Sequence, residues 1–287
     1  MPSSVDTSGW KLPINLGLND GTYCSQRAID VMLEHNTRTS LRNYSDGENS
    51  ELLEVLAKEC GCRPENIYLH NGSGPILKQV VPHVIRSEIK SSPKRVLKHV
   101  ISKQGYPIIT PVQTYGKVPL KAVAAGLTVR LVPLPWEKDF ALDPADLEAA
   151  IQKGDGLVYI ANPNNPTGNV LIDRKTLGPL MKRYPGTTFW IDEAYVQYVS
   201  PAEHQYMVDM VVDHPNMLCT RTFSFAYGMA AVRIGYLVAR EDLVAQLEGQ
   251  VTNYRIPLLT ERMGVAAAQD SQHLEDVRER SKQARDY

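Results

Sequence analysis

Four short segments concentrate the side chains able to bind or transform a small molecule. They are Gly72-Ser73-Gly74, Asn162 to Gly168 (Asn-Pro-Asn-Asn-Pro-Thr-Gly), Asp192-Glu193-Ala194-Tyr195, and Arg221 to Arg233, which includes Ser224 and Phe225. Between them they supply backbone N–H groups, side-chain amides, carboxylates, a phenol and guanidinium groups, a set suited to a polar ligand. Each begins where a strand is expected to end. In an open α/β sheet ligands sit beyond the carboxyl ends of strands, so segments far apart in sequence can converge there on one pocket. Taken singly, each has an ordinary reading as a turn, a helix cap or a tight loop; the combination is what points to a site.

The elements that must position these segments follow from the apolar pattern. Ser50 to Cys60 places Leu52, Leu53, Val55, Leu56 and Ala57 at helical spacing, with Gly61 to stop the helix. A strand at Ile67 to Leu69 leads through the glycine turn to Pro75, a plausible first helical residue, and an apolar-periodic helix over Ile76 to Ile85. Ser91 to Lys94 reads as an exposed loop, and Tyr106 to Thr110 as a strand. Helices are expected near Leu120 to Ala125, Pro144 to Gln152 and Arg174 to Tyr184, alternating with strands at Thr128 to Val132, Gly156 to Ala161 and Thr187 to Ile191. Further strands follow at Met217 to Thr222 and Ile234 to Ala239, then helices at Leu259 to Ala268 and Leu274 to Tyr287. Alternation of this kind predicts an α/β fold with a mostly parallel sheet between two helical layers, αβα.

Composition narrows the function classes. With 31 basic and 32 acidic residues the formal charge is −1, and no block of like charge recommends nucleic acid or an anionic membrane as partner. No stretch reaches the length of a membrane span, and the first fifteen residues lack the basic-then-apolar order of a leader, so a cytoplasmic location is expected. Cys24, Cys60, Cys62 and Cys219 are few and scattered, which favours reduced thiols over a disulfide framework; Cys60 and Cys62 have no second pair to make a zinc site.

Asn162 to Gly168 after one buried strand, Asp192-Glu193-Ala194-Tyr195 after the next, and Thr222-Phe223-Ser224-Phe225-Ala226-Tyr227-Gly228-Met229-Ala230-Ala231-Val232-Arg233-Ile234-Gly235-Tyr236 resemble the fold-type I aminotransferases dependent on pyridoxal phosphate (PLP), of the histidinol-phosphate type. The resemblance runs from about Leu18 to the end. It implies a three-layer PLP-transferase large domain over residues 41–258, preceded by an N-terminal segment (1–40) and followed by the helical start of a small domain (259–287). It also implies roles. Asp192 would keep the pyridine nitrogen protonated, and Asn165 and Tyr195 would hydrogen-bond the ring's phenolic oxygen. Tyr115 would stack on the ring. Gly72, Ser73 and Gly74 would hold the phosphate at a helix start, with Ser224 and Arg233 completing the cup. Tyr44 resembles a tyrosine that reaches the phosphate from a partner subunit, which implies a homodimer; Asn19 matches a substrate-loop position only loosely.

The resemblance breaks at one decisive position. Where the family has the lysine that bonds the cofactor aldehyde and moves a proton, this sequence has Phe225. A phenyl ring does neither. Lys78, Lys117 and His70 lie near the matched motifs, where a solvated or packing role is the better reading. After Asn253-Tyr254-Arg255-Ile256-Pro257, which resembles the family's crossover, the chain stops within the second of two helices, so the C-terminal small domain and its carboxylate-clamping arginine are expected to be missing. The expected function is that of a divergent aminotransferase relative, binding PLP or pyridoxamine phosphate (PMP) noncovalently and acting on an amino-acid-type substrate with altered chemistry. The alternative is a noncatalytic scaffold that keeps the pocket.

Overall fold

The structure, a computed structural model, describes Asn19, Gly21, residues 23–35, Arg42, and residues 49–102, 105–124, 127–152, 156–249 and 256–286. Tyr44 and the crossover residues Asn253, Tyr254 and Arg255 lie outside the described residues. Seven strands form one sheet: β1 (Ile67–His70), β2 (Ile108–Pro111), β3 (Val129–Val132), β4 (Leu157–Ala161), β5 (Thr188–Asp192), β6 (Met217–Thr222) and β7 (Gly235–Val238), in the order β1-β7-β6-β5-β4-β2-β3. The pairs from β3 across to β6 are parallel, and β7 runs antiparallel to both β1 and β6. The expected mostly parallel sheet is therefore present.

Helices cover both faces, which is why β4, β5 and β6 are buried at every position rather than alternately. Ile160, Ile191 and Cys219 point to the face covered by α2 (Ser50–Cys60), α6 (Pro144–Gln152), α7 (Arg174–Arg183) and α9 (Leu258–Ala268). Tyr159, Trp190 and Leu218, each one residue earlier, point to the face covered by α3 (Ser73–Lys90), α5 (Lys117–Ala124) and α8 (Glu241–Glu248). That one-residue offset is the period of a strand, and it makes two separate cores. Of the remaining helices, α1 (Gln26–His35) packs on α9, and α10 (Ser271–Asp286) follows α9.

One expected loop is corrected. Only Ser91 and Ser92 connect helices; Pro93 and Lys94 begin a helix, α4 (Pro93–Ser102), which the sequence reading missed along with α1 and α8. Proline is favoured in a first helical turn, where its missing N–H is no loss. The Ser-Ser-Pro-Lys start reads as loop, and the apolar residues that follow, Val96, Leu97, Val100 and Ile101, are exposed rather than packed into either core.

Candidate functional site

The carboxyl ends of β2, β4 and β5 are neighbours in the sheet, and the loops that leave them carry Tyr115, Asn165 and the segment from Asp192 to Tyr195. From these loops Tyr115, Asn165, Asp192, Ala194 and Tyr195, together with Ser73, Leu77, Ala161 and Phe225, line a cavity of about 50 Å³. Four segments, with Ser73 and Phe225 the farthest apart in sequence, each bring a residue to this wall, and the strand register decides how: Ala161 pairs with Asp192, and Asp192 with Thr220.

Asp192 is the floor of the cavity and is 5% exposed. Its Oδ2 accepts from the Tyr159 hydroxyl at 2.8 Å and its Oδ1 from the Thr220 hydroxyl at 2.8 Å. Thr220 is itself fixed by accepting from the Trp190 indole N–H at 3.1 Å. Burial pushes the Asp192 pKa up, and the hydrogen bonds from Tyr159, Thr220 and the Ala194 backbone offset this only in part. A carboxylate in this setting is under-stabilised as an anion: its hydroxyl partners orient it, and their hydrogen bonds do not fully compensate its desolvation.

Asn165 and Tyr195 meet directly. The Tyr195 oxygen accepts from Asn165 Nδ2 at 3.2 Å and from Asn19 Nδ2 at 3.1 Å, which brings Asn19, a loose match in sequence, into the site. With two amide donors on its oxygen, the phenol has its own hydrogen left to donate. Burial raises its pKa. The Phe225 ring lies flat on the Tyr195 ring, 4.3 Å between centroids and 17° between planes, and Tyr198 extends the stack on the other residue at 6.4 Å.

Two further asparagines, to which sequence reading assigned no separate role, hold the loops. Asn164 donates to the Gln113 carbonyl at 2.7 Å and accepts from Thr114 Oγ1 at 2.8 Å, latching the loop that carries Tyr115 to the loop that carries Asn165. Asn162 Oδ1 accepts from the backbone N–H groups of Leu171 and Ile172, closing the base of that second loop. Beneath Asp192, the fully buried Glu193 pairs with Arg221 at 2.8 Å, and Arg221 reaches Glu59 at 3.1 Å.

Gly72 and Arg233 meet at the start of α3. Gly72 has φ +90°, and a Cβ there would stand 2.3 Å from Arg233 Nη2, so the backbone comes against the guanidinium only because no side chain intervenes. Arg233 holds φ +65°, a left-handed conformation costing a non-glycine residue roughly 1 kcal/mol, and donates to the Ala230 carbonyl at 2.8 Å. The first turn of α3 has no side-chain cap, which leaves its N–H groups for another acceptor. Gly74 is less constrained, with nothing within 4 Å of a Cβ. Ser224 is engaged by Thr222, whose hydroxyl donates to its Oγ at 2.9 Å. Gly72, Gly74, Ser224 and Arg233 do not line the cavity itself.

Lys78, Lys117 and His70 are also absent from its wall. Lys117 Nζ sits 5.6 Å from the centre of the Tyr115 ring, and His70 Nδ1 accepts from the Asn71 backbone at 2.8 Å. Outward of Asn165 and Tyr195 a cleft of about 910 Å³ opens toward α10, where Arg278 is held by the Gln197 carbonyl at 2.9 Å. Among the described residues no cluster of His, Cys, Asp and Glu could hold a metal, and no helix is long and apolar enough to cross a membrane.

Comparison with known proteins agrees with this layout. The family described as aminotransferase class I and II matches residues 12–287. A histidinol-phosphate aminotransferase of Brevibacillus brevis is 29% identical over 94% of this chain and 68% of its own length. One from Moorella thermoacetica is 30% identical over 92% of this chain and 63% of its own length. This chain thus spans about two thirds of the curated relatives it matches. Among solved structures, the histidinol-phosphate aminotransferase of Sinorhizobium meliloti, determined in complex with pyridoxal-5'-phosphate, superposes with a TM-score of 0.76 at 24% identity, over 94% of this chain and 68% of that one. That likeness is one of fold. The match across nearly the whole sequence makes this chain a member of the class I and II aminotransferase family.

Proposed function

We propose that this chain binds PLP or PMP without a covalent bond and acts on an amino-acid-type substrate with chemistry altered by Phe225, which stands in the position of the family's lysine. The observation that carries the reading is Asp192. A buried carboxylate that burial destabilises, aimed by two hydroxyls into a cavity, is the complement of a protonated aromatic nitrogen, which would supply the missing positive charge. The other donors fit the same group: Asn165 and Tyr195 for a phenolic oxygen, the uncapped start of α3 with Arg233 for a phosphate, and Tyr115 for a ring face.

When bound, such a cofactor supplies an electron sink for charge developing on the substrate carbon. The chain's residues do the rest. Asp192 holds a proton on the ring nitrogen, and Tyr159 and Thr220 keep Asp192 aimed. Asn19 and Asn165 fix the Tyr195 oxygen, so that the Tyr195 hydrogen points elsewhere; Tyr195 is the titratable group placed to hold or move a proton where Phe225 has none to give. Substrate enters through the cleft beside α10. A homodimer with Tyr44 reaching across, and a cytoplasmic location, belong to the same reading.

A noncatalytic scaffold is favoured by one observation: the Phe225 ring lies on Tyr195, and the space left, about 50 Å³, holds a water or two rather than a substituted pyridine. The polar set fits the cofactor; its ring enters only when the Phe225 ring swings off Tyr195. Absorbance titration of the purified chain with PLP, alone and with a panel of amino acids, separates the readings. Saturable binding by the wild type, weakened in Asp192→Asn and altered by one amino acid, is expected; no binding by the wild type or by Phe225→Lys would leave only the scaffold.

A further inference from the structure

Away from the cavity, two thiols stand one residue apart in sequence, Cys60 and Cys62, and the end of α2 brings them together. The helix stops at Cys60, and Gly61 takes the left-handed turn at φ +65° and ψ +34°. The Gly61 N–H bonds back to the Lys58 carbonyl at 3.4 Å and the Cys62 N–H to the Ala57 carbonyl at 3.0 Å, so both backbone bonds of this helix stop are made. A residue at such angles is the mirror image of a helical one, so it holds its neighbours at the helical i to i+2 spacing, about 5.4 Å between Cα atoms. That is a separation at which a disulfide joins two cysteines without backbone movement. The side chains are aimed as well as spaced, since the two thiols hydrogen-bond to each other.

The two sulfurs are not equivalent. Cys60 is 1% exposed and lies in the core that α2 covers, with Sγ 3.9 Å from the Tyr236 hydroxyl oxygen. Cys62 is half-buried, between exposed Gly61 and Arg63. The hydrogen bond from Cys60 holds the Cys62 thiol below its ordinary value, and the Arg221 guanidinium adds to this against the effect of partial burial. The same bond, and then burial, pushes the Cys60 thiol well up. Because the thiolate is the nucleophile, Cys62 is the sulfur that meets a molecule from solvent, and Cys60 needs only to reach Cys62. Burial raises the thiols of Cys24 and Cys219 instead.

We propose that Cys60 and Cys62 form a reversible disulfide by exchange with small disulfides of the glutathione class, Cys62 attacking and Cys60 resolving. The Cys62 thiolate attacks one sulfur of the glutathione disulfide; that S–S bond breaks, a Cys62–glutathione bond forms, and one glutathione departs. Cys60 then loses its proton and attacks the Cys62 sulfur, forming the Cys60–Cys62 bond and expelling the second glutathione. Two protein thiols are oxidised, one small disulfide is reduced to two thiols, and the two protons pass to the departing thiolates. Closing a loop across a single residue adds little entropic stabilisation, so the bond is one to be made and broken rather than a structural staple. Neither cysteine lines the cavity, and the exchange is independent of any cofactor.

Incubation of the native full chain with glutathione disulfide, alkylation of the remaining thiols and peptide mass mapping test it. The wild type should lose the thiol hydrogens of both Cys60 and Cys62 and retain glutathione on neither. Cys60→Ser keeps a hydroxyl that can donate to the Cys62 sulfur, and should hold glutathione on Cys62 until a reducing dithiol removes it; Cys60→Ala should do the same if the serine variant folds poorly. Cys62→Ser should leave Cys60 reduced. The proposal falls if Cys62 of the native wild type stays reduced, or if the wild type stops at glutathione-bound Cys62 as Cys60→Ser does. It falls equally if Cys60 is modified in Cys62→Ser as readily as in the wild type.

Discussion

Phe225→Ala is expected to destabilise the chain and at the same time to tighten its hold on PLP. The Phe225 ring is half-buried and stacked on Tyr195 at 4.3 Å. Truncating a fully buried phenylalanine costs about 3–5 kcal/mol, so a half-buried one should cost roughly 2 kcal/mol. For a chain of this size that is a fall in melting temperature of about 4–8 °C. Binding moves the other way. In the wild type a ring can enter the cavity only by displacing the phenyl group from Tyr195, which forfeits an aromatic contact worth about 0.5–1.5 kcal/mol. The alanine variant has no such contact to lose, so its dissociation constant for PLP should be lower by about two- to tenfold. Thermal melts and absorbance titrations on the same preparations read both effects. A variant that melts lower and binds PLP no better than wild type would refute the argument that the Phe225 ring competes for the ring site.

Two further perturbations probe what lies beneath the cavity. Asp192 has a folded pKa raised above its ordinary 3.8 by burial, so the ligand-free fold holds that proton more tightly than the unfolded chain does. Its contribution to stability is greatest below the unfolded pKa and is lost as pH rises through the folded value. Asp192→Asn should therefore gain stability relative to wild type as pH rises above the unfolded value and through the raised folded one, and a difference in melting temperature that does not change with pH would contradict the assignment. Arg221→Met leaves Glu193 fully buried without its cation and should cost about 3–5 kcal/mol in denaturant unfolding. Adding Glu193→Gln should recover part of that loss, and a single variant within 1 kcal/mol of wild type would show the pair to be dispensable.

Sequence determined the architecture and pointed to part of the cavity wall: Ser73, Tyr115, Asn165, Asp192, Tyr195 and Phe225 line it, whereas Gly72, Gly74, Ser224 and Arg233 do not. Helix α6 and strand β6 have the bounds that apolar periodicity assigned them, because each buries a simple stripe or an unbroken run against one core. Asp192, Tyr195, Asn165 and Gly72 were legible because they follow strands, and strand ends in a parallel sheet share one edge. What tertiary structure decided was partnership. Tyr159 and Thr220 sit 33 and 28 residues from Asp192 and look like core residues in their own strands; only the register of β4 and β6 against β5 turns both hydroxyls onto its carboxylate. Asn19 reaches Tyr195 across 176 residues, a closure no local pattern encodes. That the Phe225 ring stacks on Tyr195 could not be read from sequence at all. Helix α4 shows the limit most clearly. Periodicity reports that a helix has an apolar face, and the neighbours it packs against decide whether that face turns toward the core or toward solvent.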